Sequence, residues 1–232
     1  RTSNDLSRAF DAMDASFAQL RAEDSAMLTI STSQTFANTW FAWRLGSFQV
    51  AHPDMAVRLL VSDTVIDMAA EDVDVAVRSG RGPWPGLLAD KLIDIHFTPM
   101  CSPDFLARHG GTLEPADLLR LRIISPHDPW WPYWLREAGV DAPGVADRPG
   151  IRLDSQAHEG NAAMAGQGIA MLTPFFWRND IADGRLVQPF AQVSSRGFAY
   201  WLVMPEHRRS VPKISRFRDW LRTEIAKDLG TA

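Results

Sequence analysis

A single cysteine, Cys101, stands in the 232 residues. One thiol excludes an internal disulfide framework and any cysteine-built zinc cage, and it suits a reducing compartment. No apolar run approaches the roughly 18 residues that a membrane-spanning helix needs, and the opening residues do not read as a secretory leader. There is no basic stripe either. Lysine and arginine total 24 against 28 aspartate and glutamate, a net charge of −4, which argues against a nucleic-acid-binding surface in this part of the protein.

Enzyme signatures are equally scarce. The chain holds no Gly-x-Ser-x-Gly elbow, no phosphate-cradling Gly-x-x-x-x-Gly-Lys-Ser/Thr loop and no His-Glu-x-x-His pair. Its six histidines (His52, His96, His109, His127, His158 and His207) are scattered, with no two at metal-ligand spacing. His158-Glu159 has the composition of a proton-transfer pair, but its place early on a helix favours a solvated surface. Cys101, just before a helix start, could be a nucleophile, but with no matched histidine it reads as a buried structural thiol. Asp72 and Asp74 flank strand valines and read as a strand edge. The expectation is therefore no catalytic residue, no metal and no cofactor.

Alternating strand and helix patterns are what the chain does have. Leu6, Phe10, Met13, Phe17 and Leu20 recur at helical spacing over residues 3–21. This helix opens at Arg1 rather than at a methionine, so it reads as the end of a linker helix (residues 1–25) continuing from upstream. From Met27 the segments "MLTIS", "AVRLLVS", the alternating Val73, Val75 and Val77, and "LIDIHFTPM" read as strands. Between them lie a helix carrying Ala37, Phe41, Leu45 and Phe48, which must end before His52-Pro53, and a short helix over 65–70. Ser102-Pro103-Asp104 is a strong helix start. After it come "RIIS", a helix from Trp131 to Ala138 stopped by Gly139, "GIRLD", a helix from Gln156 to Ala165 stopped by Gly166, and "IAMLT". "FAYWLVM" and an amphipathic helix with Ile214, Phe217, Leu221, Ile225 and Leu229 close the chain.

This order predicts an α/β fold with largely parallel sheets, arranged as two Rossmann-like lobes joined by crossing strands. The lobes are expected at 28–98 plus 201–230, and at 99–200. Ligands of such sheets sit outside the carboxyl ends of strands, which points to the cleft between lobes. Two polar junctions match that expectation. "STSQTF" supplies Ser33, Gln34 and Thr35 where a strand hands over to a helix, and "LDSQ" supplies Ser155 and Gln156 in the second series. Helix starts of this kind favour anions, so a small ligand carrying carboxylate or phosphate is expected. Arg78, Ser79, Trp84 and Trp130 are further candidates at the rim, an arginine because it holds a carboxylate bidentately.

Several segments, in order, resemble one family. They are "FQVAHPDMAVRLLVS", "AAEDVDVAVRSGRGPWPGL", "CSPDFL", "WWPYWLREAG", "DSQAHEGNAAMAGQGIAMLTP", "DGRLVQPF" and "YWLVMP". Together they resemble the effector-binding domain of LysR-type transcriptional regulators, in the branch that holds the glycine-cleavage activator and the β-lactamase regulator. The resemblance covers roughly residues 28–229. It implies a fold like type 2 periplasmic binding proteins and a cytoplasmic transcription regulator. It further implies a homodimer, tetrameric in full length, that meets DNA only through an absent N-terminal winged helix-turn-helix. In that branch a threonine, an aspartate, a serine and a tyrosine bear on ligand sensing, and the matching positions are Thr35, Asp67, Ser155 and Tyr200. Gln34 departs from the small residue seen there, so muropeptide recognition is not carried over. The competing expectations are a stand-alone solute-binding protein of the same fold, which should carry an export signal, and a small hydrolase or transferase using Cys101 or His158.

Overall fold

The structure, a computed structural model, describes residues 27–64, 68 and 72–230. The expected linker helix, Asp67 and most of the short helix expected over 65–70 lie outside the described residues.

Met27–Thr32 (β1) buries Leu28 and Ile30 and lies between Ala56–Val61 (β2) and Val75–Gly80 (β3), parallel to both. Ser33 then converts strand to helix. Its Oγ accepts from the Phe36 amide at 3.3 Å, so one of the orphan donors of the helix start is satisfied. From there the chain winds as one helical run in three parts: Gln34–Phe36 (α1), a π-helical segment Ala37–Phe41, and Ala42–Ala51 (α2). It ends at His52, where the following Pro53 disfavours helical backbone.

Two long strands, Leu87–Met100 (β4) and Ser194–Pro205 (β6), run antiparallel to each other. Along its length β6 also pairs with β3, while the far end of β4 pairs with Ala170–Leu172 (β5). The sheet order is β2-β1-β3-β6-β4-β5. The expectation of a largely parallel sheet is thereby corrected. Among these strands, parallel pairing is confined to β1 and its two neighbours, because β6 returns from late in the chain and enters between β3 and β4 in the opposite sense.

Ser102 caps Pro103–Arg108 (α3) by accepting from the Phe105 amide at 3.2 Å. Trp130–Glu137 (α4), Gln156–Met164 (α5) and Pro174–Ala182 (α6) complete the second series. Gly139 and Gly166 adopt positive φ after α4 and α5, the left-handed stop that a side chain would oppose. "RIIS" is reduced to a single bridge between Ile123 and Ile169, and "GIRLD" is not a strand. Ser125, at φ 48°, turns the chain and holds Leu153 with its hydroxyl, so neither segment extends into a ladder. Helix α6 went unanticipated, although Pro174 at its first position is a start signal.

Pro212–Leu229 (α7) turns Ile214, Phe217, Leu221 and Ile225 inward, as its periodicity requires. Phe217 meets Phe41 and Phe48 edge-on at 5.9 and 5.6 Å. Each such buried side chain contributes roughly 1.5–3 kcal/mol. Near its end Asp228 accepts from the Trp40 indole at 2.6 Å and pairs with Arg44 at 2.8 Å and with Arg178. Asp74 is not the strand-edge group expected. It is 2% exposed, accepts from the Thr29 amide at 2.9 Å, and pairs with Lys213 at 2.8 Å and Arg208 at 3.2 Å.

Candidate functional site

The carboxyl ends of β1, β2 and β3 open on a cavity of about 550 Å³, closed on its far side by the loop before α4 and by the start of α5. Of the candidates, this cavity brings together Ser33, Thr35, Trp130, Ser155, Gln156 and Tyr200. A smaller cavity of about 230 Å³ adjoins it through Ser33, Asp63 and Ser79, and holds Arg78 and Trp84. Gln34 is not among the residues lining either cavity.

Thr35 ties the two series together. Its Oγ1 accepts from the Gln156 amide at 3.2 Å, and Gln156 Oε1 in turn accepts from the Thr173 amide at 2.8 Å. Tyr200 stands on β6 opposite Ser79 and Ile93. Phe36 and Phe176 flank its ring at 5.5 and 5.1 Å. Burial pushes its phenol up to about 12, with a hydrogen bond from Ser33 opposing the shift, so it stays neutral and able to donate. Trp130 is stacked on Phe97 at 4.4 Å and presents an aromatic wall.

Arg78 sits in the smaller cavity with both ends engaged. It donates to the Ser62 carbonyl at 2.5 Å and to Ser31 Oγ at 2.7 Å, and so pins β3 to β1 and to the turn after β2. Trp84 packs against Gly80, where a Cβ would lie 2.7 Å from its ring, and edge-on to Trp201.

Acids make up the charged part of the lining. Asp63, Asp128, Asp154 and Glu159 line the larger cavity, and no lysine or arginine does among the described residues. Glu159 is 4% exposed, which corrects the expectation of a solvated helical surface for it. The helix turns this side chain inward, one turn beyond Ser155. Burial pushes its carboxyl up to about 8; a hydrogen bond from Ser125 opposes the shift and the charge of Asp128 adds to it. Asp128 is itself raised by burial, opposed by the Trp130 amide that donates to it at 2.8 Å. The expected anion finds no cationic partner in this cavity. Three amides at the helix starts are also taken: Gln34 by Asp63 at 3.2 Å, Phe36 by Ser33, and Gln156 by Thr35. The signal that could have found Asp63 is its position just past β2, where strand ends meet ligands.

A family model described as the LysR substrate binding domain matches residues 21–226. The chain belongs to this family. Among curated proteins, this LysR domain is 33% identical over 224 residues to the transcriptional activator AmpR of Rhodobacter capsulatus, covering 96% of the chain and 75% of that protein. It is 32% identical over 228 residues to the glycine cleavage system transcriptional activator of Escherichia coli K12, covering 97% and 73%. The solved effector domain of AmpR from Pseudomonas aeruginosa superposes with a TM-score of 0.74 at 30% identity, over 87% of this chain and 96% of that one. The LysR domain therefore has the periplasmic-binding-protein-like fold expected, two α/β lobes joined by crossing strands.

In the LysR domain Cys101 does not have the surroundings of a nucleophile. Cys101 is buried and burial pushes its thiol up to about 11, far from a reactive thiolate. No group of three or more potential metal ligands occurs among the described residues, and no helix among them is long and apolar enough to cross a membrane.

Proposed function

We propose that this chain senses a small effector for a cytoplasmic LysR-type transcription regulator and performs no catalysis. The effector binds in the larger cavity between a lobe of residues 28–98 plus 201–230 and a lobe of residues 99–200. The observation that carries this is the junction of Thr35 with Gln156. Two helix starts from different series meet at a cavity lined by Trp130, Ser155 and Tyr200, so a ligand there touches both lobes at once. A ligand can shift such a protein only by binding one lobe arrangement better than another. Asp67, outside the described residues, is assigned to ligand sensing by the family resemblance alone. Ser33 and Tyr200 supply hydroxyls, and Arg78 and Trp84 shape the neighbouring cavity.

The regulator works as a homodimer, tetrameric in full length, and reaches DNA through a helix-turn-helix upstream of Arg1. A surface suited to self-association is present. Strand β2 is a sheet edge, and Trp43 and Val50 on α2 are 62% and 83% exposed. Unpaired edges and exposed apolar groups of this kind favour pairing with another chain.

The test is effector-dependent transcription by the full-length regulator carrying Thr35→Val or Trp130→Ala. Expected is loss of the response while promoter binding persists. An unchanged response in both variants would refute the cavity as the sensing site.

A further inference from the structure

We infer that the cleft takes a small molecule bearing a protonated amine, either a cation or a zwitterion, seated between Glu159, Asp128 and the hydroxyl of Ser155. This rests on the cleft being the effector site and names the chemistry that it selects.

Charge is the first ground. The described lining carries four acidic side chains, with Glu159 holding a proton at neutral pH, and no lysine or arginine, so it opposes an anion and attracts a cation. Three of the helix-start amides, those of Gln34, Phe36 and Gln156, are committed to Asp63, Ser33 and Thr35, which leaves fewer to welcome an anion.

Ser155 supplies a second and independent ground. It occupies the cap position of α5, yet its side chain makes no capping bond. The residue is 7% exposed, and its Oγ is buried without a hydrogen-bond partner. A buried hydroxyl in that state carries an unmet desolvation cost, and a donor arriving from the cleft removes it. His127 Nδ1, in the same lining, is also without a partner. An ammonium group brings three donors and no acceptor. The oxygens of Ser155, Glu159 and Asp128 are acceptors to match, and Trp130 offers a ring face to the cation.

Binding is coupled to protons. Burial keeps Glu159 protonated at neutral pH; Ser125 and Asp128 act on it directly, and His127, Asp154, Asp63 and Tyr200 are the other titratable groups lining the same cavity. An arriving ammonium takes the place of that proton, so affinity rises as pH rises towards 8.

The probes are propylamine, β-alanine and propionate, which share a three-carbon frame and keep their charges between pH 6 and 8. Backbone amide shifts of Ser155, Gln156 and Trp130 are followed by NMR titration of the chain. Propylamine and β-alanine are expected to move these amides saturably and more weakly at pH 6 than at pH 8. Glu159→Gln is expected to weaken both by roughly tenfold or more, the size of a lost charged hydrogen bond. Ser155→Ala, which keeps the charge and the fold, should weaken them less. Propionate acting alone on the same amides overturns the inference and leaves the effector site standing. So does tighter amine binding at pH 6, or a Glu159→Gln variant that keeps its spectrum and full amine affinity. Amine-induced shifts confined to other parts of the molecule overturn both, and silence of both amines overturns the inference, with the Thr35→Val transcription test deciding the site independently.

Discussion

Replacing Glu159 by glutamine should change how stability depends on pH, and the sign follows from burial. The ordinary glutamate value is 4.5, whereas in the fold the carboxyl is pushed up to about 8. Between those values the folded chain holds a proton that the unfolded chain has released, so stability falls as pH rises through the window. Below pH 4.5 the penalty is absent, and above 8 it is complete. At roughly 1.4 kcal/mol for each tenfold change in acidity, the full penalty is on the order of 5 kcal/mol. Relaxation of the cleft and entry of water reduce it, but even about 1.5 kcal/mol moves the melting temperature of a chain this size by about 3–6 °C. Urea unfolding of the parent and Glu159→Gln at pH 5, 6, 7 and 8 reads the difference directly. The two should nearly coincide at pH 5, and the variant should be the more stable at pH 8. A difference that stays constant across the series would refute the reasoning, because Glu159 would then titrate as an ordinary exposed acid.

Two further predictions concern the frame that holds the site. Asp74→Ala removes the carboxylate that neutralises the buried Lys213 ammonium and accepts from the Thr29 amide, so thermal unfolding should show a loss of about 3–5 kcal/mol. Converting the pair together, Asp74→Leu with Lys213→Met, should recover much of it, and a single-variant loss under about 1 kcal/mol would contradict the buried pairing. Gly160→Ala would place a Cβ 2.1 Å from the Trp177 ring. Overpacking of about 1–3 kcal/mol should outweigh the roughly 1 kcal/mol that alanine adds to a helix. A double-mutant cycle with Trp177→Leu should show the two changes to be strongly coupled, and additive effects would rule the clash out.

Much of this fold could be read from periodicity. The strands at Met27, Ala56 and Ala170 and the terminal helix all appear where alternation or helical spacing placed them. Junction chemistry was equally legible, since Ser33, Thr35, Ser155 and Gln156 share one cavity as their positions after strands suggested. Pairing direction was not. Local sequence sets which residues form β6, but the sense in which it enters the sheet depends on a partner more than a hundred residues away. The charge of the cleft was hidden for the same reason. Asp63, Asp128 and Glu159 are far apart in the chain and each alone reads as a surface acid; only their convergence gives the cavity its sign. Asp74 shows the converse, an acid beside strand valines whose partner Lys213 lies near the other end of the chain.

The helical run from Gln34 to Ala51 has its two ends in different places. Its first turn, with Ser33 and Thr35, borders the cavity, while Trp43 and Val50 further along face solvent. At 1.5 Å per residue those 18 residues span about 27 Å, and a helix is stiff along its axis. It is a pushrod. A displacement at Thr35 would be carried along it towards Trp43 and Val50, and Asp228, bonded to Trp40 and Arg44, ties α7 to the same run. The π-helical segment Ala37–Phe41 lies between the two ends, where an exchange of wide-turn for ordinary hydrogen bonds changes the rod's length and twist without breaking it.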